Sequence, residues 1–272
     1  MPDATVLICG CGYTGRRVAE RLLAAGYRVI GTTRSGKVSV PGIDSRALHL
    51  PHGKFPGEVP EGVIVLHSIP VIETSAGPAD PTPCLLRLLD SKPSRLVYLS
   101  TTSVYGVQRD VDERTLVAPA SDRARLRVAA ERSIATGPWS SLILRPAAIY
   151  GPGRGVHVKL ARGEWHLAGD GSNYVSRIHV DDLAALTAAA LLRPDVTGAF
   201  PAADEEPCAA AEITRFCAEL LRLPLPPATD AGAVHATRKS DRRVDGRAVL
   251  RLLGLELKFP SYRRGIPASL AA

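Results

Sequence analysis

No run of 18 apolar residues occurs in the chain, so no segment of it reads as a membrane span. The opening residues, MPDATVLICG, lack a basic region ahead of their apolar stretch and read as a strand rather than a signal peptide. Aromatics are few, at 5%, and there is no lysine-rich tail. The net charge of +7 and the pI near 9.4 therefore rest on arginines scattered along the chain. A nucleic-acid partner would rest on charge alone, and none is expected. The five cysteines (Cys9, Cys11, Cys84, Cys208 and Cys217) are scattered, with no secretory signal beside them. A reducing, cytoplasmic setting is expected. Cys9 and Cys11 form a Cys-x-Cys pair, but no second cluster of Cys or His completes a ligand set. The pair reads as small residues in a tight turn, and no metal is expected. There is no internal repeat and no low-complexity tract.

What is present fits one α/β domain of 272 residues with a small lobe formed mainly from 151–180 and 200–272. TVLIC (5–9) has strand length, TGRRVAERLLAAG (14–26) has helical spacing, and YRVIGTT (27–33) is a second strand. Strand, glycine turn, helix and strand make a βαβ unit. Further strands are expected at 46–50, 63–68, 95–100 and 141–146, and further helices at 81–91, 180–192, 209–223 and 247–254. A proline-rich loop covers 224–232. Apolar strands alternating with helices imply a parallel sheet covered on both faces.

CGCGYTG supplies Gly10, Gly12 and Gly15 in a G-x-G-x-x-G that follows a strand and opens a helix. Gly10 permits the tight turn, Gly12 lets a pyrophosphate approach the backbone, and Gly15 permits close helix–strand packing. The helix start, at Tyr13 and Thr14, presents free N–H groups and a positive dipole end. A glycine turn without a ligand would carry the same three residues; the βαβ context favours dinucleotide binding. At the end of the second strand, GTTRSGK offers no carboxylate for a ribose 2′-hydroxyl. Arg34, beside Ser35, can stack on adenine or grip a 2′-phosphate, so NADP is expected ahead of NAD. A solvent-exposed loop arginine is the bland alternative.

Several segments together resemble the short-chain dehydrogenase/reductase superfamily in its extended or atypical branch, the NAD-dependent epimerase/dehydratase family. These are the glycine loop, YLSTTSVYG (98–106), LRPAAIYGPGR (144–154) and GDGSNYVSRIHVDDLA (169–184). The short length and the ending LLGLELKFPSYRRGI (252–266) resemble the YeeZ-like subgroup, described as nucleoside-diphosphate-sugar epimerases. The resemblance implies a Rossmann doubly wound parallel sheet of about seven strands, ordered 3-2-1-4-5-6 plus one, with ligand at its C-terminal edge. It also implies a catalytic Thr101, with Thr102 and Ser103 able to bond substrate oxygen. It places His67, Ser68, Ser100 and Pro146 at the cofactor rim.

The family's Tyr and Lys stand four apart on the helix after strand five, with a Glu four residues beyond the Lys. Glu131 fits that last place, which puts Arg127 at the Lys position and Arg123 at the Tyr position. An arginine stays protonated and cannot cycle a proton. Helical phase in SDRARLRVAAER (121–132) sends Arg123 and Arg127 toward the packed side and Arg125 and Arg132 to solvent. Two like charges at i and i+4 cost about 0.2–0.5 kcal/mol even when exposed. Glu131, beside Arg127, or an anionic ligand can compensate; snorkelling at the edge of the core is the alternative. Tyr105 and Tyr150 belong to Tyr-Gly turns and either pack there or stand in for the missing acid. Arg177 matches the family's second signature and can face substrate, with His179 and with Asp181 as a cap for the next helix.

The expectation is an NAD(P)-dependent oxidoreductase or epimerase acting on a small molecule, a nucleotide sugar or a carbonyl compound. A non-catalytic cofactor-binding sensor is the alternative. Two-helix interfaces in the superfamily make a homodimer possible through the arginine-rich helix.

Overall fold

Seven short runs become the strands of one parallel sheet: β1 (Thr5–Cys9), β2 (Arg28–Thr33), β3 (Asp44–Ala47), β4 (Ile64–His67), β5 (Arg95–Leu99), β6 (Ser140–Pro146) and β7 (Gly198–Ala202). Their order is β3-β2-β1-β4-β5-β6-β7, the Rossmann arrangement that the family resemblance implies. The computed structural model describes residues 4–51, 53–55, 57–229 and 241–271. The end of the loop expected at 224–232, part of the expected lobe (230–240) and the first three residues lie outside the described residues.

The central strands are continuous apolar runs because both sheet faces are covered. On one face, α1 (Tyr13–Ala24) and α5 (Val180–Leu192) pack over Val6, Ile8, Val97, Leu99 and Leu142. On the other, α2 (Thr82–Leu89) and α3 (Asp122–Ala135) pack over Leu7, Val65, Leu96, Tyr98 and Ile143. The edge strand β3 lies a little earlier than expected, over the polar run Asp44–Ala47. An edge strand escapes the demand for burial on both faces, so the apolar residues that followed it were a poor guide.

Two buried groups fasten the layers. Arg95, 1% exposed, donates to the carbonyls of Ala190 (2.8 Å) and Val196 (2.8 Å) and to Ser140 Oγ (2.6 Å). It therefore serves the carbonyl end of α5, where cations and donors are favoured. Asp182, in the first turn of α5, accepts the backbone N–H groups of Lys258 (2.8 Å) and Phe259 (2.9 Å). That contact draws the C-terminal segment onto the sheet. The cap of α5 differs from expectation: His179 Nδ1 accepts the N–H of Asp181 (3.2 Å), while the Asp181 carboxylate pairs with Arg17 (2.9 Å).

A second, smaller core forms where α4 (Val156–Ala161), α6 (Ala210–Leu221) and α8 (Tyr262–Leu270) enclose Tyr150, Leu160, Ile213, Cys217 and Ile266. Helix α7 (Arg247–Leu253) instead joins the main core beside α5.

Register levels the strand ends. Cys9 pairs with His67, and His67 with Tyr98, so the loops after β1, β4 and β5 emerge together at the C-terminal edge.

Replacing Arg95 with Met leaves two buried carbonyls without donors, each worth about 1–3 kcal/mol. We expect Arg95→Met to lose about 2–4 kcal/mol of unfolding free energy in urea titration; a loss below about 0.5 kcal/mol, the range of ordinary surface changes, would remove Arg95 from this role.

Candidate functional site

The glycine loop turns sharply after β1. Gly10 has φ +92°, and a Cβ there would lie 2.9 Å from the backbone nitrogen of Ile69. A Cβ at Gly15 would meet Gly10 O at 3.0 Å and the Ile8 side chain at 3.2 Å. Gly12 is different, since the nearest atom to a Cβ there is Gly10 O at 4.0 Å. The protein's own packing leaves that space open, and a pyrophosphate approaching the backbone would use it. No side chain caps α1 at Gly12, and the first N–H groups, at Tyr13, Thr14 and Gly15, have no hydrogen-bond partner among the described residues. Arg17 and Arg154 lie 4.5 and 5.4 Å from the centre of the Tyr13 ring, and its hydroxyl donates to Pro152 O (3.0 Å). Ser68 Oγ donates to Gly10 O (2.7 Å) and steadies the loop. Arg34 and Ser35 are exposed at the end of β2, and Arg34 has no ion pair among the described residues. The cradle fits a dinucleotide.

Helix α3 begins at Ser121, whose Oγ accepts the N–H of Ala124 (3.2 Å). Its phase is as expected: Arg125 turns outward to Asp122 (2.5 Å), and Arg132 is exposed. Arg127 turns inward, where Nη1 donates to the Tyr98 hydroxyl (2.5 Å) and to Ile69 O (3.5 Å). Ile69 is the residue that touches Gly10. Arg127 thus stands at the mouth of the glycine loop. Arg123 is half exposed rather than packed, pairing with Glu73 and donating to Val71 O (3.0 Å). Both partners lie on the segment that follows β4, where residues 72–74 and 77–79 form a small hairpin. The compensation expected from Glu131 does not occur. Glu131 is buried against Arg145 of β6 (2.7 Å) and accepts the Ser100 hydroxyl (2.5 Å).

That network corrects several expectations. Ser100 spends its hydroxyl on Glu131, so its side chain does not face a cofactor. Tyr105 is fully buried: its hydroxyl accepts from Arg145 Nη1 (3.1 Å) and donates to Asp112 O (3.3 Å). Tyr150 is buried in the second core and donates to Ser261 O (3.3 Å). Burial raises both phenols, so neither releases a proton near neutrality. Arg177 is buried as well, donating to Val175 O (2.7 Å) and Cys208 Sγ (3.1 Å), with its charge toward Asp204. Pro146 is buried in register with Ala202.

His67 is 0% exposed and stacks on Tyr98 at 4.8 Å. Its Nδ1 accepts the N–H of Ile69 (3.4 Å). Thr82 Oγ1 donates to Asp80 (2.5 Å), so it accepts from His67 Nε2 (2.8 Å). Burial, reinforced by Arg127, pushes the imidazole down to about 3. His67 is a fixed neutral wall under the site rather than a proton carrier. Burial likewise pushes Tyr98 up to about 12, with Arg127 opposing the shift.

Thr101, Thr102 and Ser103 remain at the strand edge. Thr101 lies two residues beyond β5 and caps the turn at Thr102–Tyr105; its Oγ1 accepts the N–H of Ser103 (3.2 Å), which leaves its proton available. Among the described residues no group of three or more metal-ligating side chains occurs, and no helix is long and apolar enough to cross a membrane. The residues that sequence reasoning passed over are Tyr98, inside the quoted YLSTTSVYG, and Glu73, which no local pattern marks.

A Rossmann sheet, an uncapped glycine-loop helix and a polar strand-five edge define a dinucleotide-binding α/β protein. The sequence profile of the NAD dependent epimerase/dehydratase family matches residues 82–200. A structure of a functionally unknown conserved protein from Silicibacter pomeroyi is 33% identical, covers 98% of both chains and superposes with a TM-score of 0.83. The chain belongs to the NAD-dependent epimerase/dehydratase family, within the atypical short-chain dehydrogenase/reductases. A 3-diazoavenalumate denitrifying reductase from Streptomyces is 33% identical over 152 residues, 50% of this chain and 49% of that protein. The chain thus matches about half the length of that curated relative. The Bordetella bronchiseptica enzyme WbmG, in complex with NAD, shares the fold at 17% identity and a TM-score of 0.76, over 98% of this chain and 93% of that one.

Both oxygens of Asp204, 2% exposed, lack a hydrogen-bond partner among the described residues, and burial raises its carboxyl to about 8. The folded chain keeps that proton up to about pH 8, whereas the unfolded chain releases it near the ordinary value of 3.8. The folded state binds more protons in that window, so Asp204's contribution is full below pH 3.8 and is lost as pH rises through 8. Above about pH 6.5 His67 is neutral in both states. Between about pH 6.5 and 8, Asp204→Asn is expected to flatten the decline in stability by up to about 1.4 kcal/mol per pH unit. Identical slopes for wild type and variant in a denaturation series would show that Asp204 ionises normally.

Proposed function

We propose that this chain binds NADP in preference to NAD and moves hydride between the nicotinamide and a small-molecule acceptor. The observation that carries this reading is Gly12, the residue at the uncapped start of α1, beside which the packing leaves open space. Backbone N–H groups of Tyr13, Thr14 and Gly15 would hold the pyrophosphate, helped by the cations at Arg17 and Arg154. Arg34, exposed and unpaired, with Ser35, would take the 2′-phosphate. Ser68 and His67 support the loop without reacting. When bound, the cofactor supplies or takes a hydride; the protein's part is to orient and to set charge. Thr101 would donate its free proton to a substrate oxygen or nitrogen, with Thr102 and Ser103 beside it. Arg127 would set the local positive charge, and Arg123 would hold the hairpin that closes over it.

The reductase side of this reading is supported by the Streptomyces relative, whose name is that of a reductase. Epimerisation is supported by the family to which the chain belongs, and membership of the YeeZ-like subgroup by the sequence resemblance. The cytoplasm as location and pairing of two copies through the arginine-rich helix α3 belong to the same proposal. The outer face of α3, with Asp122, Arg125, Ala129 and Arg132, is exposed.

A non-catalytic sensor is the second reading. It is favoured by the arginines at 123 and 127 and by the locked hydroxyls of Tyr105 and Tyr150. A hydride-transfer screen over aldehydes, ketones and nucleotide sugars decides between the two.

NADPH is expected to bind more tightly than NADH in a fluorescence titration, and Arg34→Asp to narrow or reverse the difference. Equal affinities, unchanged in the variant, would sink the NADP preference. Arg123→Ala is expected to leave cofactor affinity largely intact, since the phosphate contacts come from the glycine loop. Complete loss of binding in that variant would refute this division of labour.

A further inference from the structure

Around the mouth of the glycine loop, the groups that normally deliver a proton are absent or engaged. The two helix positions where the family carries its acid/base pair are arginines. Tyr13 donates to Pro152 O, Tyr105 to Asp112 O and Tyr150 to Ser261 O. Ser68 donates to Gly10 O and Ser100 to Glu131. Tyr98 accepts from Arg127 and is fully buried, so its hydroxyl is not presented to a molecule at the edge. His67 is fully buried, with both ring nitrogens occupied. Thr101, Thr102 and Ser103 are left, and an aliphatic hydroxyl can orient a substrate but is far too weak an acid to protonate an alkoxide in step with hydride arrival.

The same edge is rich in cations. Arg127 uses only Nη1, on Tyr98 and Ile69. Its Nε and Nη2 have no hydrogen-bond partner among the described residues, and these two donors form the parallel fork that grips a carboxylate side-on. Arg123 adds a second guanidinium one turn away, its charge shared with Glu73.

We propose that the substrate of this site is a carboxylate-bearing hydride acceptor whose reduction needs no proton from the protein, seated by its carboxylate on the free edge of Arg127. The acceptor group is a nitrogen cation, a diazonium or an iminium. This rests on the cofactor reading above, with the reduced nicotinamide as hydride donor. In the diazonium case a C–H bond forms with the hydride pair, the C–N bond breaks, and its electron pair leaves on dinitrogen. In the iminium case the hydride adds to carbon and the C=N π pair moves to nitrogen, giving a neutral amine. No proton is transferred in either. The substrate's carboxylate offsets the cationic charge that two arginines would otherwise repel.

The test uses the full chain with NADPH and three carboxylated probes: 3-carboxybenzenediazonium, the permanently cationic 1-methyl-1-pyrrolinium-2-carboxylate and, as the matched carbonyl, 3-formylbenzoate. General acids contribute about 10²–10⁴-fold to such reductions, so kcat/KM above the protein-free rate should favour at least one nitrogen cation over 3-formylbenzoate by about that factor. The diazonium and iminium arms tell the two sources apart. A separate binding arm measures benzoate by calorimetry, without cofactor, against wild type, Arg127→Lys and Arg127→Leu. Loss of charge-assisted hydrogen bonds should weaken benzoate about 10–100-fold in Arg127→Leu, with Arg127→Lys in between; cooperative thermal unfolding shows that each variant is folded. Equal benzoate affinity in folded variants would overturn the carboxylate seat whatever the cofactor does. NADPH binding with 3-formylbenzoate reduced as fast as the cations, or with none of the three reduced, would overturn the acceptor class while leaving cofactor binding standing. Absence of NADPH binding would take down the cofactor reading, and this inference with it.

Discussion

The ion pair between Glu131 and Arg145 is the contact on which the arrangement of the site depends. It is almost wholly buried and joins α3 to β6, with Ser100 at the end of β5 and the Tyr105 hydroxyl completing it. Burying two charges costs several kcal/mol per ion unless their lone pairs and protons find partners. Here the carboxylate accepts from two groups and the guanidinium also reaches a phenol. The network therefore has one good geometry, and that geometry sets the height and rotation of α3 against the sheet. Arg127 stands one turn before Glu131, so the pair also decides that its guanidinium meets Tyr98 and Ile69.

This explains why the arginine helix is not a surface patch. Its four arginines meet four different fates: Arg125 pairs locally, Arg132 faces solvent, Arg123 fastens the segment after β4, and Arg127 stands at the mouth of the glycine loop. The repulsion between Arg123 and Arg127 is relieved by Glu73 and by backbone carbonyls, not by Glu131. The result is an edge that is cationic but proton-poor. Oxygen chemistry that relies on a phenol has no phenol to use there, because Tyr105 and Tyr150 were drawn into packing and Tyr98 into the sheet.

The C-terminal third follows a similar logic. Asp182 captures two backbone N–H groups of the returning chain, and Tyr150, Arg177 and His179 are consumed in joining the smaller core to the sheet. Residues that a family pattern would hand to a substrate are here the means by which that lobe is attached.

The strands of the sheet and the glycine loop were legible from the sequence, because apolar runs, helical spacing and glycine at Gly10, Gly12 and Gly15 are local signals whose physics acts within a few residues; the strand order came from the family resemblance. Helical phase also separated Arg127 from Arg125 correctly. The partners were not legible. Glu131 is four residues from Arg127 yet bonds Arg145, fourteen residues away, and Arg123 finds Glu73 fifty residues back. Edge strand β3 escaped its apolar pattern because an edge is not buried on both sides. By itself, the sequence determined a dinucleotide-binding fold and the absence of a Tyr-Lys pair on α3. Only the tertiary structure decided which hydroxyls and charges remain free at the edge, since that depends on which distant group reaches each buried donor or acceptor first and satisfies it.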